Sequence, residues 1–272
     1  PTSKLHGYLL GAVAPRPIAF ASTIDENGNP NLSPFSFFNV FGSNPPMMIF
    51  SPARRVRGNT TKHTLQNVEK VKEVVINVVN YDIVQQMSLS SSEYPEGVNE
   101  FEKAGFTMLA SDEIKPFRVA ESPVQFECKV TDIIYTGDKG GAGNLIVCEV
   151  IKIHINESVL DANGMIDQHK IDLVARAGGS FYSRARDGFF EIPKPVSTLG
   201  IGIDQIPSAI KNSTVLTGNN LGMLGNITLL PTDQDVDNFA KEHPQFIGLE
   251  MVKKHTFAQE YLENNDTESA WK

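Results

Sequence analysis

Two runs of alternating apolar residues, 125–135 and 144–155, flank a stretch that holds Gly137, Gly140, Gly141 and Gly143. Period-two alternation marks strands, and a glycine-rich stretch between two such runs marks the turn of an antiparallel hairpin. Other strand patterns precede it. Residues 17–24 (PIAFASTI) are rich in β-formers and lead into Asp25-Glu26-Asn27-Gly28-Asn29-Pro30. The Asn-Gly pair tolerates positive φ and suits a hairpin turn, so a return strand is expected over 31–38. Pro45-Pro46 starts another short strand at 47–51, because proline has no N–H to give a ladder. The β-branched run 74–79 reads as a buried strand.

Helices are few. Leu65, Val68 and Val71 have helical spacing over 62–71, and 82–90 reads as a short helix. Asn99 followed by Glu102 resembles a capping box, with Gly105 suited to the C-terminal cap. Many antiparallel strands, short turns and few helices predict a mainly β fold closed into a barrel. Beyond Pro193 and Pro195 the pattern changes. The expected division is a barrel domain over 1–194 and a partly helical C-terminal extension over 195–272. Residues 232–242, opened by Thr232 and Asp235, and 251–264 read as helices there. The stretch 218–225 is glycine-rich but lacks G-x-G-x-x-G spacing, and reads as an irregular loop, not a dinucleotide site.

The chain has 272 residues, 40% hydrophobic and 21% charged, which is ordinary globular composition. A formal net charge of -8 argues against nucleic acid or an anionic membrane as the main partner. No apolar run reaches about 18 residues, and the opening PTSKLHGYLL lacks the layout of a secretory signal. A cytoplasmic protein is expected. Cys128 and Cys148, the two cysteines, sit among alternating apolar residues and read as buried reduced thiols. The six histidines show no metal-ligand spacing, so no metal is expected. The carboxylate pairs Glu100/Glu102 and Asp112/Glu113 read as surface groups.

Three segments carry the chemistry. They are Pro15-Arg16-Pro17-Ile18-Ala19-Phe20-Ala21-Ser22-Thr23, Asn31-Leu32-Ser33-Pro34-Phe35-Ser36-Phe37-Phe38-Asn39, and a basic loop of Ser51, Arg54, Arg55 and Arg57 before Lys62-His63-Thr64-Leu65-Gln66-Asn67. Two neighbouring strands thus end in small hydroxyl residues, and a basic loop opens onto a helix. A flavin mononucleotide makes matching demands. Its flat ring needs backbone amides and small side chains at its edge. Its phosphate needs Arg or Lys beside a helix N-terminus. Ser22, Thr23, Ser36 and Asn39 suit the ring and ribityl chain, while Arg54, Lys62 and Thr64 suit the phosphate. Each residue also has a plain structural reading. Arg16 is a stiff-turn residue, Ser22 and Thr23 are strand residues, Ser36 and Asn39 form a turn, and the cations form a solvated face. Phe35, Phe37 and Phe38 read as core, with Phe38 kept as a flavin neighbour.

RPIAFAST, SPFSFFN, the proline pair and the K-x-TLxN segment together resemble the flavin-reductase-like, FMN-binding split β-barrel family. GVNEFEKAGF, VAESPVQFECKV and ARAGGSFYSR resemble it further along, so the likeness runs in order over about residues 8–190. The resemblance implies a Greek-key antiparallel split barrel holding FMN at a homodimer interface. It implies a flavoprotein oxidoreductase fed by NAD(P)H or by a redox partner protein, with any nicotinamide stacking directly on the flavin. The cofactor-binding residues expected on that basis are Arg16, Ser22, Thr23, Ser36, Phe38, Asn39, Ser51, Arg54, Lys62, Thr64 and Asn67. The family's usual K-D-T reads Lys62-His63-Thr64 here. The alternatives are a flavoredoxin-like electron carrier without NAD(P)H activity, and a flavin-free split barrel serving as a binding module.

Overall fold

A computed structural model describes residues 2–192 and 199–272, apart from the side chains of Thr2 and Ser3. The chain divides into two compact units, Pro1–Phe189 and Phe190–Lys272. The expected boundary at 194/195, and the prolines that marked it, lie outside the described residues. Among those described, no helix is long and apolar enough to cross a membrane.

The first unit opens with helix α1 (Thr2–Ala12). Its strands are β1 (Ala19–Ile24), β2 (Pro30–Phe35), β3 (Phe38–Ser43), β4 (Pro46–Phe50), β5 (Glu73–Asn77), the short pair β6 (Met108–Leu109) and β7 (Arg118–Val119), β8 (Val124–Tyr135), β9 (Asn144–Ile155), β10 (Val174–Arg176) and β11 (Tyr182–Arg184). Between them lie α2 (His63–Lys70), α3 (Val84–Leu89), α4 (Glu100–Ala104) and α5 (Gln168–Ile171). Seven strands form one antiparallel sheet in the order β2-β1-β5-β8-β9-β4-β3. The expected hairpin of residues 125–155 is its centre, Val124 pairing with Ile155 and Tyr135 with Asn144.

The two edges of this sheet are consecutive in sequence. β2 ends at Phe35 and β3 begins at Phe38. Three virtual bonds of 3.8 Å each can span no more than about 11 Å. The sheet must therefore curl until its edges nearly meet, with Ser36 and Phe37 at the seam. The rings of Phe35 and Phe50 lie 5.6 Å apart across this region. The strand expected to run unbroken over 31–38 is thus two strands belonging to opposite edges.

β1 is buried along its whole length, which explains its near-continuous apolar run. Ala19 and Ala21 face one core with Phe35, Phe50, Leu65, Val68, Ile76 and Ile146. Ile18 and Phe20 face another, built with Leu32, Ile83, Met87 and Phe101. Cys128 and Cys148 are buried free thiols in the first core, and burial pushes the Cys148 thiol up to about 12. Asn99 caps α4 by accepting the Phe101 N–H at 3.0 Å, and Gly105 ends it at φ 72°. This is a single cap in place of the reciprocal box expected from Glu102, whose carboxylate instead accepts from the Asn99 side chain.

The second unit contains α6 (Ser208–Lys211), α7 (Gly218–Leu224), α8 (Asp233–Glu242), α9 (Met251–Glu263) and α10 (Thr267–Trp271). Thr232 and Asp235 form the capping box expected at α8. The glycine-rich stretch expected to be a loop is instead α7. A second capping box, Thr217 with Asn220, starts it, and Leu224 is buried with Ile206, Leu216 and Leu262. Tertiary burial of one apolar face outweighs the low helix propensity of its glycines.

Candidate functional site

A cleft of about 350 Å³ opens beside the seam of the barrel. It is lined by Phe37 from the seam, Ala53, Arg54, Arg55, Val56 and Arg57 from the loop after β4, Lys62 at the start of α2, Gly141, Glu93 and His6 of α1. Three arginines and one lysine thus face one carboxylate. Arg55 pairs with Glu93 at 2.9 Å, and the Lys62 ammonium stands 3.8 Å from the same oxygen. Burial, and then the neighbouring Arg55, hold the Lys62 ammonium below the usual lysine range, with Glu93 opposing.

The loop's shape is fixed by its own backbone. The Arg54 N–H donates to the Ala142 carbonyl at 2.9 Å, and the Gly141 N–H donates to the Arg54 carbonyl at 3.0 Å. Arg54 also grips Asn59, donating to its side-chain and main-chain oxygens at 2.8 Å each. Gly140 lies directly against this loop. A Cβ there would stand 2.9 Å from the Val56 carbonyl oxygen, so the glycine permits the contact. The cluster Gly137–Gly143 therefore closes the central hairpin and also buttresses the basic loop.

Lys62 is the N-cap of α2, makes no side-chain cap bond, and is followed by no acidic residue in the first turn. The positive end of the helix dipole, with its unpaired N–H groups, therefore adds to the field of the four cations. Such an arrangement is suited to holding an anion.

Thr23, Thr64 and Asn67 meet behind the cleft in a polar network. The Thr64 hydroxyl donates to Asn31 Oδ1 at 2.8 Å, and the Asn67 amide donates to the Thr23 hydroxyl at 3.0 Å. Asn31 in turn donates to Glu100 Oε1 at 2.9 Å, and Glu100 Oε2 accepts the Leu32 N–H at 3.1 Å. Glu100 is 5% exposed, so the surface position expected for it is corrected. Its local sequence gives no sign of this, because the pairing crosses 69 residues of chain. Burial raises its pKa above the usual glutamate range, against the pull of these hydrogen bonds.

Arg16 is 6% exposed. Its guanidinium donates to the carbonyls of Leu10, at 2.7 Å, and Val13, at the end of α1, to the Ala177 carbonyl at 3.2 Å and to the Ser36 hydroxyl at 3.3 Å. It thereby fastens α1 and the seam together. Satisfying the last carbonyls of α1 accounts for a helix whose glycine-containing sequence gave little sign of one. Ser51 is buried; its N–H donates to the Phe37 carbonyl at 2.9 Å, and its hydroxyl accepts the Asn144 N–H at 3.1 Å. Ser22 is fully buried within β1, and its hydroxyl has no partner among the described residues.

The structure therefore brings Arg54 and Lys62 into the cleft, sets Ser36 and Ser51 at its seam side, and puts Thr23, Thr64 and Asn67 in the supporting network. Phe38 pairs with Phe50 and packs against the core, while Asn39 is exposed and accepts its neighbour's N–H at 2.8 Å. Phe37, read from sequence as core, is the aromatic on the cleft, its ring 6.4 Å from that of His6. The strand break after Phe35 reverses the alternation that placed it inside. Arg55 and Arg57, read from sequence as part of the basic loop, also line the cleft; His6 and Glu93 join it only through the tertiary fold, and no local pattern marks them.

Away from the cleft, ligand atoms of Asp112, Glu127 and His154 lie within 4.8 Å of one another. Sequence spacing could not show this, because β8 and β9 bring them together. Lys152 at 2.6 Å from Asp112, Arg118 at 3.9 Å from Glu127, and two backbone N–H groups on Glu127 already balance these charges.

Residues 11–172 match the family model described as "Flavin reductase like domain". A protein from Aquifex aeolicus is 38% identical over 181 residues, covering 66% of this chain and 90% of that protein. Among solved structures, nitrilotriacetate monooxygenase component B from Bacillus cereus aligns with a TM-score of 0.66 at 25% identity, covering 71% of this chain and 94% of the other. A protein from Shewanella frigidimarina with a split barrel domain aligns with a TM-score of 0.62 at 24% identity, covering 71% and 93%. The curled antiparallel sheet with its open seam is that split barrel. The chain belongs to the flavin reductase-like family.

Proposed function

We propose that this protein binds FMN, with the phosphate in the cleft formed by the 54–62 loop, and works as an oxidoreductase. The observation that carries this reading is the excess of positive charge in the cleft. Arg54, Arg55, Arg57 and Lys62 face Glu93 alone, at the open N-terminus of α2. A phosphomonoester dianion fits that donor set. It would counter the burial and, secondarily, the Arg55 repulsion that together lower the Lys62 pKa.

Within this reading Arg54 and Lys62 bind the phosphate. Ser36, Asn39 and Ser51 line the way to the ring from the seam, and Phe37 gives the ring an apolar neighbour. Arg16, Thr23, Thr64 and Asn67 act by holding α1, β1, β2 and α2 in register. When bound, the flavin supplies the redox chemistry, accepting electrons from NAD(P)H or from a redox partner protein.

A homodimer belongs to the same proposal. Ile151, Ile153 and Ile155 of β9 and Val40 and Phe41 of β3 are exposed. Exposed apolar side chains on an antiparallel sheet are suited to being covered by a second copy. Cytoplasmic residence is part of it too, since Cys128 and Cys148 are free thiols.

The test begins with the absorption spectrum of the purified protein after gel filtration. A yellow protein eluting as a dimer is expected. Lys62→Ala should weaken FMN binding about tenfold or more while leaving riboflavin, which lacks the phosphate, unchanged. A colourless protein that takes up no added FMN would overturn the reading. Equal losses for both ligands would remove Lys62 from the phosphate site. Bleaching by NADH or NADPH in stopped flow marks a reductase; its absence with intact flavin marks an electron carrier.

A further inference from the structure

The second unit contains a cavity of about 390 Å³, a size in the range of small-molecule pockets. Its walls are aromatic. Phe239, Phe246, Phe257, Tyr261 and Trp271 all line it. The rings of Phe246 and Phe257 lie 4.8 Å apart, and those of Phe239 and Phe246 stack at 6.1 Å. Such walls offer ring faces and edges to a flat apolar guest.

His255 of α9 also lines this cavity. It is 7% exposed, and its Nε2 has no hydrogen-bond partner among the described residues. A buried polar nitrogen left unpaired carries a desolvation cost that a guest with the right group would remove. We propose that this cavity is a binding site for a small aromatic molecule bearing one hydroxyl group, the hydroxyl bonding to His255 Nε2 and the ring packing among Phe239, Phe246, Phe257 and Tyr261.

The chemistry of the imidazole selects the hydroxyl. A hydroxyl both donates and accepts, so it satisfies Nε2 in either tautomer. A carboxylate can only accept, so it suits one tautomer alone, and its buried charge would go unbalanced because burial also lowers the pKa of His255 and keeps the imidazole neutral. A plain hydrocarbon would fill the space and leave Nε2 unpaired. This site lies wholly within the unit Phe190–Lys272, outside the residues 11–172 of the family match, so it stands independently of the flavin proposal.

Trp271 gives the readout. It is the only tryptophan of the chain, and its indole N–H donates to the Leu224 carbonyl at 3.1 Å. The 272-residue chain therefore gives a single indole cross-peak in a proton–nitrogen correlation spectrum. Titration with 4-ethylphenol, ethylbenzene and 4-ethylbenzoate is expected to move that peak saturably, with the phenol binding about tenfold more tightly than either analogue. His255→Leu should abolish the preference for the phenol while ethylbenzene still binds. Ala240→Phe, which fills the cavity from another wall, should abolish binding of both. An unmoved indole peak with all three compounds, a phenol preference that survives His255→Leu, or tighter binding of the benzoate would each overturn the proposal.

Discussion

Asn31 donates its side-chain amide to the buried carboxylate of Glu100 at 2.9 Å, tying the start of β2 to the first turn of α4. The other end of the same amide accepts the Thr64 hydroxyl, so one side chain joins β2, α2 and α4. Asn31→Leu would strand both the Thr64 hydroxyl and one Glu100 oxygen. We expect a loss of about 1–3 kcal/mol in urea unfolding. The pH dependence follows from the raised pKa of Glu100. The folded state then holds its proton to a higher pH than the unfolded chain, whose glutamates titrate near pH 4.3. This group therefore makes the fold less stable as pH rises from there through the folded value, and adds no slope beyond it. Glu100→Gln should flatten that part of the profile; an unchanged slope would assign it to other groups.

Gly140 sets the position of the cation loop. A methyl group there would meet the Val56 carbonyl oxygen at 2.9 Å, the Val56 Cα at 3.0 Å and the Arg55 carbonyl oxygen at 3.1 Å, all of them backbone atoms. Gly140→Ala should displace residues 55–56, cost about 1–3 kcal/mol of stability, and weaken FMN binding more than riboflavin binding. Gly7, in α1 with nothing near its would-be Cβ, is the control. Gly7→Ala should leave the fold as stable or more stable by about 0.5–1 kcal/mol. Calorimetric unfolding and flavin titration of both variants decide the matter.

Asp172 holds the end of the barrel unit together through Arg184. The guanidinium donates to its two carboxylate oxygens, Nε at 2.9 Å from Oδ1 and Nη2 at 2.5 Å from Oδ2, and lies 3.9 Å over the Tyr81 ring. These bonds hold the Asp172 carboxyl below the usual aspartate range. Its contribution is therefore complete above the unfolded value near pH 3.9 and is lost as pH falls through the folded value below it. Asp172→Asn should cost about 1–3 kcal/mol at neutral pH and remove this component of acid unfolding. A variant that unfolds in acid along the same curve as the native chain would show that the pair adds no stability.

Local patterns in the sequence determined most of the elements. The central hairpin, the Asn27-Gly28 turn, α2 and the cap of α8 all depend on residues close together in the chain, where periodicity and turn chemistry act directly. The positive charge of residues 54–62 was equally legible, and it marked the anion-suited loop. Tertiary structure alone decided the rest. The alternation of residues 31–38 continues across a point where the chain passes from one edge of the sheet to the other, so it cannot reveal that Phe37 faces the cleft and not the core. Glu100 looks like any surface carboxylate until Asn31, sixty-nine residues earlier, is brought against it. His255 becomes a buried, unpaired group only when the aromatic side chains of α8, α9 and α10 close around it. In each case the deciding energy, burial or a hydrogen bond made away from water, belongs to a contact between segments distant in sequence, and no local pattern records it.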